Sequence, residues 1–433
     1  MHGACQPDNF QFPVGSDRLL RLRTGGFTPF PFLFPPLWGD ARSEKEVSVK
    51  STLCRSCGSD QLTLIHDFGP QPLAGNFPAV PHAEASVDRY PLDLTQCRVC
   101  TLLQVTNVPP IEAVFHDDYR YASSTVPDLV RHFVGYADFL AKRLPPGARI
   151  LEFGSNDGVL LAQLHALGFT ALGVDASDNV AAMGRQRGLD IRTGFMTVDL
   201  LDRENLLGQF DLVTCSNVFA HIDDIGATVA AVRAALKPDG LFAIEVHDGE
   251  LLAREAQFDT IYHEHLTYFT EASLRHFLEH HGFEFVSCDR TPMHGGGLRF
   301  VARLSDAAHS YDAPASGLIS SDAFGATIER CAADIRKLIA EHGPVQGYGA
   351  AGRSQMFINM TNTADCFDRV FDDSPLRRGR YIVGTDIPIV PFTAEDRGGA
   401  CVILAWNYAG SISRLINGRF GVIATVLPEY REW

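Results

Sequence analysis

The sequence predicts an α/β protein whose parallel sheets carry ligand sites, preceded by a small cysteine-rich module. Three observations lead there. Residues 149–175, RILEFGSNDGVLLAQLHALGFTALGVD, read as an apolar strand, a glycine turn, an apolar-faced helix and a second strand closing on Asp175. Strand-like and helix-like segments go on alternating through residues 210–246, which implies a parallel sheet covered on both faces. Two CxxC pairs, Cys54 with Cys57 and Cys97 with Cys100, stand ahead of both.

Composition sets the limits. At 433 residues the chain is expected to form two or three domains, and 45% hydrophobic residues suffice for sizeable cores. A formal charge of −15 argues against non-specific nucleic-acid binding, which needs a basic surface. No apolar run approaches the roughly 18 residues of a membrane span. With no basic and apolar leader at its start, the chain is expected in the cytoplasm, as an acidic monomer. Of ten cysteines, four form the CxxC pairs and the rest are scattered. That pattern suits a metal site with reduced thiols better than a disulfide framework.

Residues 1–50 are rich in Pro, Phe and Gly, as in GGFTPFPFLFPPLWGD, and are expected as a poorly ordered extension. Residues 51–115 are expected as a zinc module. A CxxC turn presents two thiolates to one side of the chain, and two such turns complete a tetrahedral site. Cys54, Cys57, Cys97 and Cys100 fill all four positions, so no place is left for catalytic water and the zinc is read as structural. Tyr119 and Tyr121 follow in FHDDYRYASS, where a loop can aim either one into a pocket.

Residues 116–305 are expected to hold the nucleotide-binding sheet. A helix over 128–144 leads into the first strand. Leu160, Leu161, Leu164 and Leu167 then fall at helical spacing, with Gly168 as the stop. Strand 210–217, helix 225–236 and strand 241–246 continue the alternation. The turn after the first strand is ExGxxxG rather than the GxGxxG of dinucleotide sites. With no phosphate to hold, an S-adenosylmethionine site needs backbone contacts to the amino-acid moiety and an acid for the ribose. Glu152, Gly154, Asn156, Gly158 and Asp175 meet that need, and Asn217 ends the strand alongside. His221 follows at the place where methyl-acceptor residues sit in such folds. Further on, Tyr262, His263, Glu264 and His265 open YHEHLTYF. A His beside a Glu is a tuned general base, because the carboxylate favours the imidazolium formed on proton uptake. Thr267 stands where HExxH would need its second histidine, which rules out that zinc motif. Thr270 reads as the cap of a helix over 271–281.

Residues 306–433 contain a literal GxGxxG at Gly347, Gly349 and Gly352, with Asp372 and Asp373 about 20 residues on. Taken alone, that pattern predicts NAD and an oxidoreductase. A glycine turn at a helix N-terminus suits any pyrophosphate, however. Arg353, Arg377, Arg378 and Arg380 offer positive charge there, and Trp406 is read as packing.

The order CxxC…CxxC, DYRYASS, LEFGSNDG, SNVFAHI, YHEHLTYF and MHGGGLRF makes the chain, from about residue 52 onward, resemble the sugar C-methyltransferases of deoxysugar biosynthesis. The resemblance implies a zinc-binding domain, a class I S-adenosylmethionine methyltransferase fold and a Rossmann-like C-terminal domain that helps to bind the acceptor. It implies a nucleotide-linked, typically dTDP-linked, 4-keto-deoxyhexose methylated at C3 or C5. His265 is then the base, with Glu264 and Tyr262 orienting it or the sugar. His221 and either Tyr119 or Tyr121 face the enolate oxygen, and His294, Arg353 and Arg380 face the nucleotide sugar. An NAD-dependent sugar-nucleotide oxidoreductase, an O- or N-methyltransferase and a non-catalytic zinc protein are the competing readings.

Overall fold

The computed structural model describes residues 49–110, 122–305, 319 and 322–433. The expectations for residues 1–48, Tyr119 and Tyr121 lie outside these residues. All the described residues fall in one compact unit, Glu46–Trp433.

The cysteine module is built from β1 (Val49–Lys50), β2 (Leu62–Gln71), β3 (Tyr90–Cys97), β4 (Leu103–Val105) and β5 (Asn107–Val108). β2, β3 and β4 form an antiparallel meander. β1 pairs with β5, so the last two residues assigned to the extension are a strand of this module instead.

The central region begins with α1 (Pro127–Ala141), β6 (Arg149–Phe153), α2 (Val159–Ala166), β7 (Thr170–Asp175), α3 (Asp178–Gln186) and β8 (Ile191–Thr193). It continues through α4 (Val198–Arg203), β9 (Phe210–Ser216), α5 (Ile225–Ala235), β10 (Leu236–His247) and α6 (Gly249–Glu255). β11 (Thr267–Tyr268), α7 (Glu271–His280), β12 (Phe283–Thr291) and β13 (Gly297–Leu304) complete it. The sheet order is β12-β13-β10-β9-β6-β7-β8. β6 to β10 run parallel, and β13 is antiparallel to both its neighbours. The order reverses between β6 and β9, where open α/β sheets take their ligands at the carboxyl ends.

Local chemistry explains the element ends. Thr270 caps α7 by accepting from the Ser273 N–H at 3.1 Å, and the Ser273 hydroxyl reciprocates. α2 buries Leu160, Leu161 and Leu164, but it stops at Ala166. Leu167 therefore leaves the expected apolar face and is 46% exposed, as Gly168 turns left-handed.

The C-terminal region contains α8 (Asp322–His342), β14 (Val345–Tyr348), α9 (Gly352–Thr361), β15 (Phe367–Phe371) and β16 (Ile389–Val390). β17 (Gly398–Ile403), α10 (Ala409–Ile416), β18 (Phe420–Thr425) and β19 (Arg431–Glu432) follow. Its sheet order, β16-β15-β14-β17-β18-β19, is parallel except for β19 and reverses between β14 and β17.

One apolar core crosses all three regions. Ile65, Phe68 and Leu92 from the cysteine module pack in one cluster with Leu252, Phe258 and Tyr268 of the centre and Phe324, Met356 and Val402 of the C-terminal region. Among the described residues, no helix is long and apolar enough to cross a membrane.

Candidate active site

The four thiols meet as their spacing requires. Cys54 Sγ lies 3.4 Å from Cys100 Sγ, and Cys57 Sγ lies 3.6 Å from Cys97 Sγ. All four sulfurs fall within 4.8 Å of one another. Tetrahedral zinc with bonds of about 2.3 Å needs sulfurs roughly 3.8 Å apart, so the donor set fits the ion. In both knuckles the residue after the second cysteine turns left-handed, Gly58 in one and Thr101 in the other. The strain of a threonine at that position is a cost the metal site over-determines.

At the first sheet reversal the glycine loop closes on β7. Asp175 accepts the Asn156 N–H at 2.7 Å on one carboxylate oxygen and the Ser177 N–H at 2.8 Å on the other, leaving a second lone pair on each. Gly154 has φ +64°, and a Cβ there would lie 2.1 Å from Val218 Cγ2, so only glycine permits this approach. Gly158 is left-handed too, and its side-chain space is filled by Leu189. Glu152 is 2% exposed, and its Oε2 has no hydrogen-bond partner. Burial, then the nearby Asp175 and Asp157, push its carboxyl well above the usual range. An uncompensated acid in an acidic loop fits the cationic amino-acid end of S-adenosylmethionine. Asn217, also left-handed, anchors on the Glu245 carbonyl at 2.7 Å. Sequence reasoning passed over Phe195, which is 60% exposed one residue beyond Gly194, whose N–H bonds the Asp175 carbonyl. A large exposed aromatic just past a strand end was the available signal.

Next to this site lies the histidine loop. The His265 Nδ1–H donates to the Thr260 carbonyl at 2.9 Å, which places the lone pair on Nε2, where the Tyr262 hydroxyl donates at 2.9 Å. The Tyr262 ring lies over His265 at 4.0 Å, and the His221 ring meets His265 edge-on at 4.7 Å. Burial, then His221, hold His265 well below the ordinary imidazole value. Burial likewise lowers His221 to about 4. Glu264 does not reach His265. Its Oε1 accepts the Gly75 N–H at 2.7 Å, and burial raises its carboxyl. The buried His263 faces the Tyr90 and Pro91 carbonyls at 3.2 Å. β11, directly after the loop, pairs antiparallel with β4 and extends the cysteine module's sheet.

The C-terminal region adds a second contact. Arg353, at the start of α9, pairs with the buried Asp259 through Nε at 2.9 Å and Nη2 at 3.0 Å, and its Nη1 bonds the His294 carbonyl. Trp406, expected as packing, donates its Nε1–H to Asp259 at 2.9 Å. His294 is left-handed, and its ring lies 6.3 Å from Tyr408. Arg380 lies half-buried on the sheet edge, its carbonyl accepting the Ile389 N–H of β16 at 2.7 Å. Neither Asp259 nor Thr260 carried any sequence signal. The GxGxxG glycines all face protein: a Cβ at Gly347 would meet Leu404 at 2.9 Å, at Gly349 Ala405 at 2.5 Å, and at Gly352 Ala74 at 3.4 Å. Close packing thus accounts for Gly347 and Gly349, while a Cβ at Gly352 would meet Ala74 at an ordinary contact distance.

Comparisons with known proteins show the family. Models of a zinc binding domain, a methyltransferase domain and a C-methyltransferase C-terminal domain match residues 54–115, 127–288 and 292–418. The chain is 31% identical over 383 residues to the C-methyltransferase NovU of Streptomyces niveus, covering 83% of this chain and 90% of that one. A ubiquinone biosynthesis O-methyltransferase of Paramagnetospirillum magneticum is 32% identical over 118 residues, covering 26% of this chain and 46% of that enzyme. The crystal structure of the Burkholderia thailandensis 1,6-didemethyltoxoflavin-N1-methyltransferase, with bound S-adenosylhomocysteine, matches 41% of this chain and 78% of that one at 24% identity and a TM-score of 0.32. With its three matched domains and its near full-length likeness to NovU, the chain belongs to the family of S-adenosylmethionine-dependent C-methyltransferases that carry a zinc-binding domain.

Proposed function

We propose that the enzyme methylates C3 or C5 of a nucleotide-linked, typically dTDP-linked, 4-keto-deoxyhexose, with His265 as the base. The observation that carries this reading is the hydrogen bonding of His265, a neutral imidazole whose proton is committed to the Thr260 carbonyl. Its one basic lone pair, on Nε2, stands at the Tyr262 hydroxyl.

A carbonyl at C4 acidifies the neighbouring C–H. Once the Tyr262 hydroxyl turns from Nε2 toward the sugar, His265 Nε2 takes that proton, and the C–H electron pair moves into the ring as the C4 oxygen becomes an enolate. Tyr262 orients the imidazole and the sugar, and Glu264 fixes the loop through Gly75. His221, with Tyr119 or Tyr121, stabilises the enolate oxygen, a contribution of about 2.7–4 kcal/mol for one donor in a well-studied case. S-adenosylmethionine, when bound at Glu152, Gly154, Asn156, Gly158, Asp175 and Asn217, supplies the electrophilic methyl group. Of the residues expected at the nucleotide, Arg353 has its guanidinium committed to Asp259, which leaves the His294 ring and Arg380 for the ligand. The enzyme works on this reading as a cytoplasmic monomer.

Mass spectrometry of reactions with a panel of nucleotide 4-keto sugars tests the proposal, with product NMR placing the new methyl. The expected product carries it on ring carbon, and the substrate exchanges the proton of that carbon for deuterium from solvent. A product methylated on oxygen or nitrogen, formed without exchange, would overturn the reading.

A further inference from the structure

A buried ion pair joins the histidine loop to the C-terminal region, and the chemistry above makes no use of it. The Asp259 side chain is 1% exposed and that of Arg353 14%. The planar fork of Arg353 matches both carboxylate oxygens, a geometry lysine cannot reproduce. The Trp406 Nε1–H adds a third donor to Asp259, and the Arg353 guanidinium carbon lies 4.6 Å from the Trp406 ring centre. Both carboxylate oxygens of Asp259 are therefore held by groups from the C-terminal region.

The place of Asp259 in the chain gives this contact its meaning. It is the middle residue of the three-residue turn Phe258–Thr260. The carbonyl of the next residue, Thr260, accepts both the His265 Nδ1–H at 2.9 Å and the Tyr268 hydroxyl at 3.1 Å. A turn this short has no slack: a rotation of the peptide planes around Asp259 carries the Thr260 carbonyl with it. If that carbonyl moves, the Nδ1 proton loses its acceptor, and the Tyr262 hydroxyl, which can accept as readily as donate, fits either tautomer at Nε2.

We propose that the C-terminal domain positions the catalytic base: Arg353 and Trp406 hold Asp259, and through that turn the Thr260 carbonyl that fixes the His265 tautomer. The inference rests on His265 being the base, and it makes Arg353 and Trp406 positioning residues.

The test uses full-length, zinc-loaded protein labelled with nitrogen-15 in histidine. Long-range ring NMR reports each tautomer, and the signals lost in His265→Asn assign that residue. Wild type should show His265 with its proton on Nδ1. In Arg353→Met and in Trp406→Phe that signature should give way to mixed tautomers. The kcat on the accepted 4-keto sugar should fall about 10- to 100-fold, with S-adenosylmethionine affinity unchanged. Trp406→Phe keeps the ring and the ion pair, so it serves where Arg353→Met does not fold. Wild-type kcat in both variants, or reduced kcat with the Nδ1–H signature intact, would overturn the inference. Wild-type turnover in His265→Asn would instead remove the base assignment itself, whatever the tautomer.

Discussion

The His265 imidazole shows how neighbours decide what one side chain can do. Its proton is fixed by a backbone carbonyl, and its charge is suppressed by burial and by a second imidazole. His265→Asn should lower turnover at least about 100-fold with cofactor binding intact, measured by steady-state kinetics and titration calorimetry. The sign of the pH dependence follows from the same burial. Because the folded value lies well below 6.5, the basic form persists as the pH drops through neutrality. The acid limb of kcat/KM should therefore lie below pH 6.5, and a limb at or above that value would contradict the assignment. Gly154 gives a steric counterpart. Gly154→Ala forces a left-handed alanine against Val218, an overpacking cost of roughly 1–3 kcal/mol. Urea unfolding should register that loss, and adding Val218→Ala should recover part of it.

Among the elements, β11 and the loop before it link the zinc module to the chemistry. β11 is an added strand of the module's sheet, Gly75 holds Glu264, and the Tyr90 and Pro91 carbonyls hold His263. The zinc ties the CxxC turns that frame this sheet, so its part is to hold the loop rather than to activate a group. The glycine turn and acid at β6 and β7, proposed to hold the cofactor, lie on a different sheet. Removing zinc with a strong chelator should therefore reduce turnover more than S-adenosylmethionine affinity. Equal loss of both would mean that the metal supports the whole fold alike. The glycine turn after β14 makes a related point. It keeps the form of a nucleotide turn, and Asp372 accepts the Ala350 and Ser374 N–H groups just as Asp175 accepts those of Asn156 and Ser177. Its first two glycines nonetheless serve close packing against Leu404 and Ala405. A local motif and its use thus part company once neighbouring elements fill the space.

Across the whole molecule, one apolar cluster is shared by all three regions, beside further clusters within the central and C-terminal regions. Loss of the C-terminal region would uncover Leu252, Phe258, Ile261 and Tyr268, so the described residues should unfold in a single calorimetric transition. Well-separated transitions would show that the regions fold independently. The chemistry that depends on local spacing was legible in the chain: paired thiols, a glycine turn with a terminal acid, alternating strands and helices, and a cluster of histidines. Each is encoded within a few residues, because turn conformation and period depend on near neighbours. Leu167 shows the limit even there, since the helix end was misplaced by one residue and a side chain predicted inside faces water. The partners of His265 came only from tertiary structure. Thr260 offers a carbonyl any residue could offer, Asp259 is an acid without a motif, and Gly75 acts through its N–H. Backbone groups and distant ion pairs leave no pattern along the chain. The line of residues therefore determined which cofactor and which metal this protein takes, while the packing of three regions around one turn decided how the histidine is held.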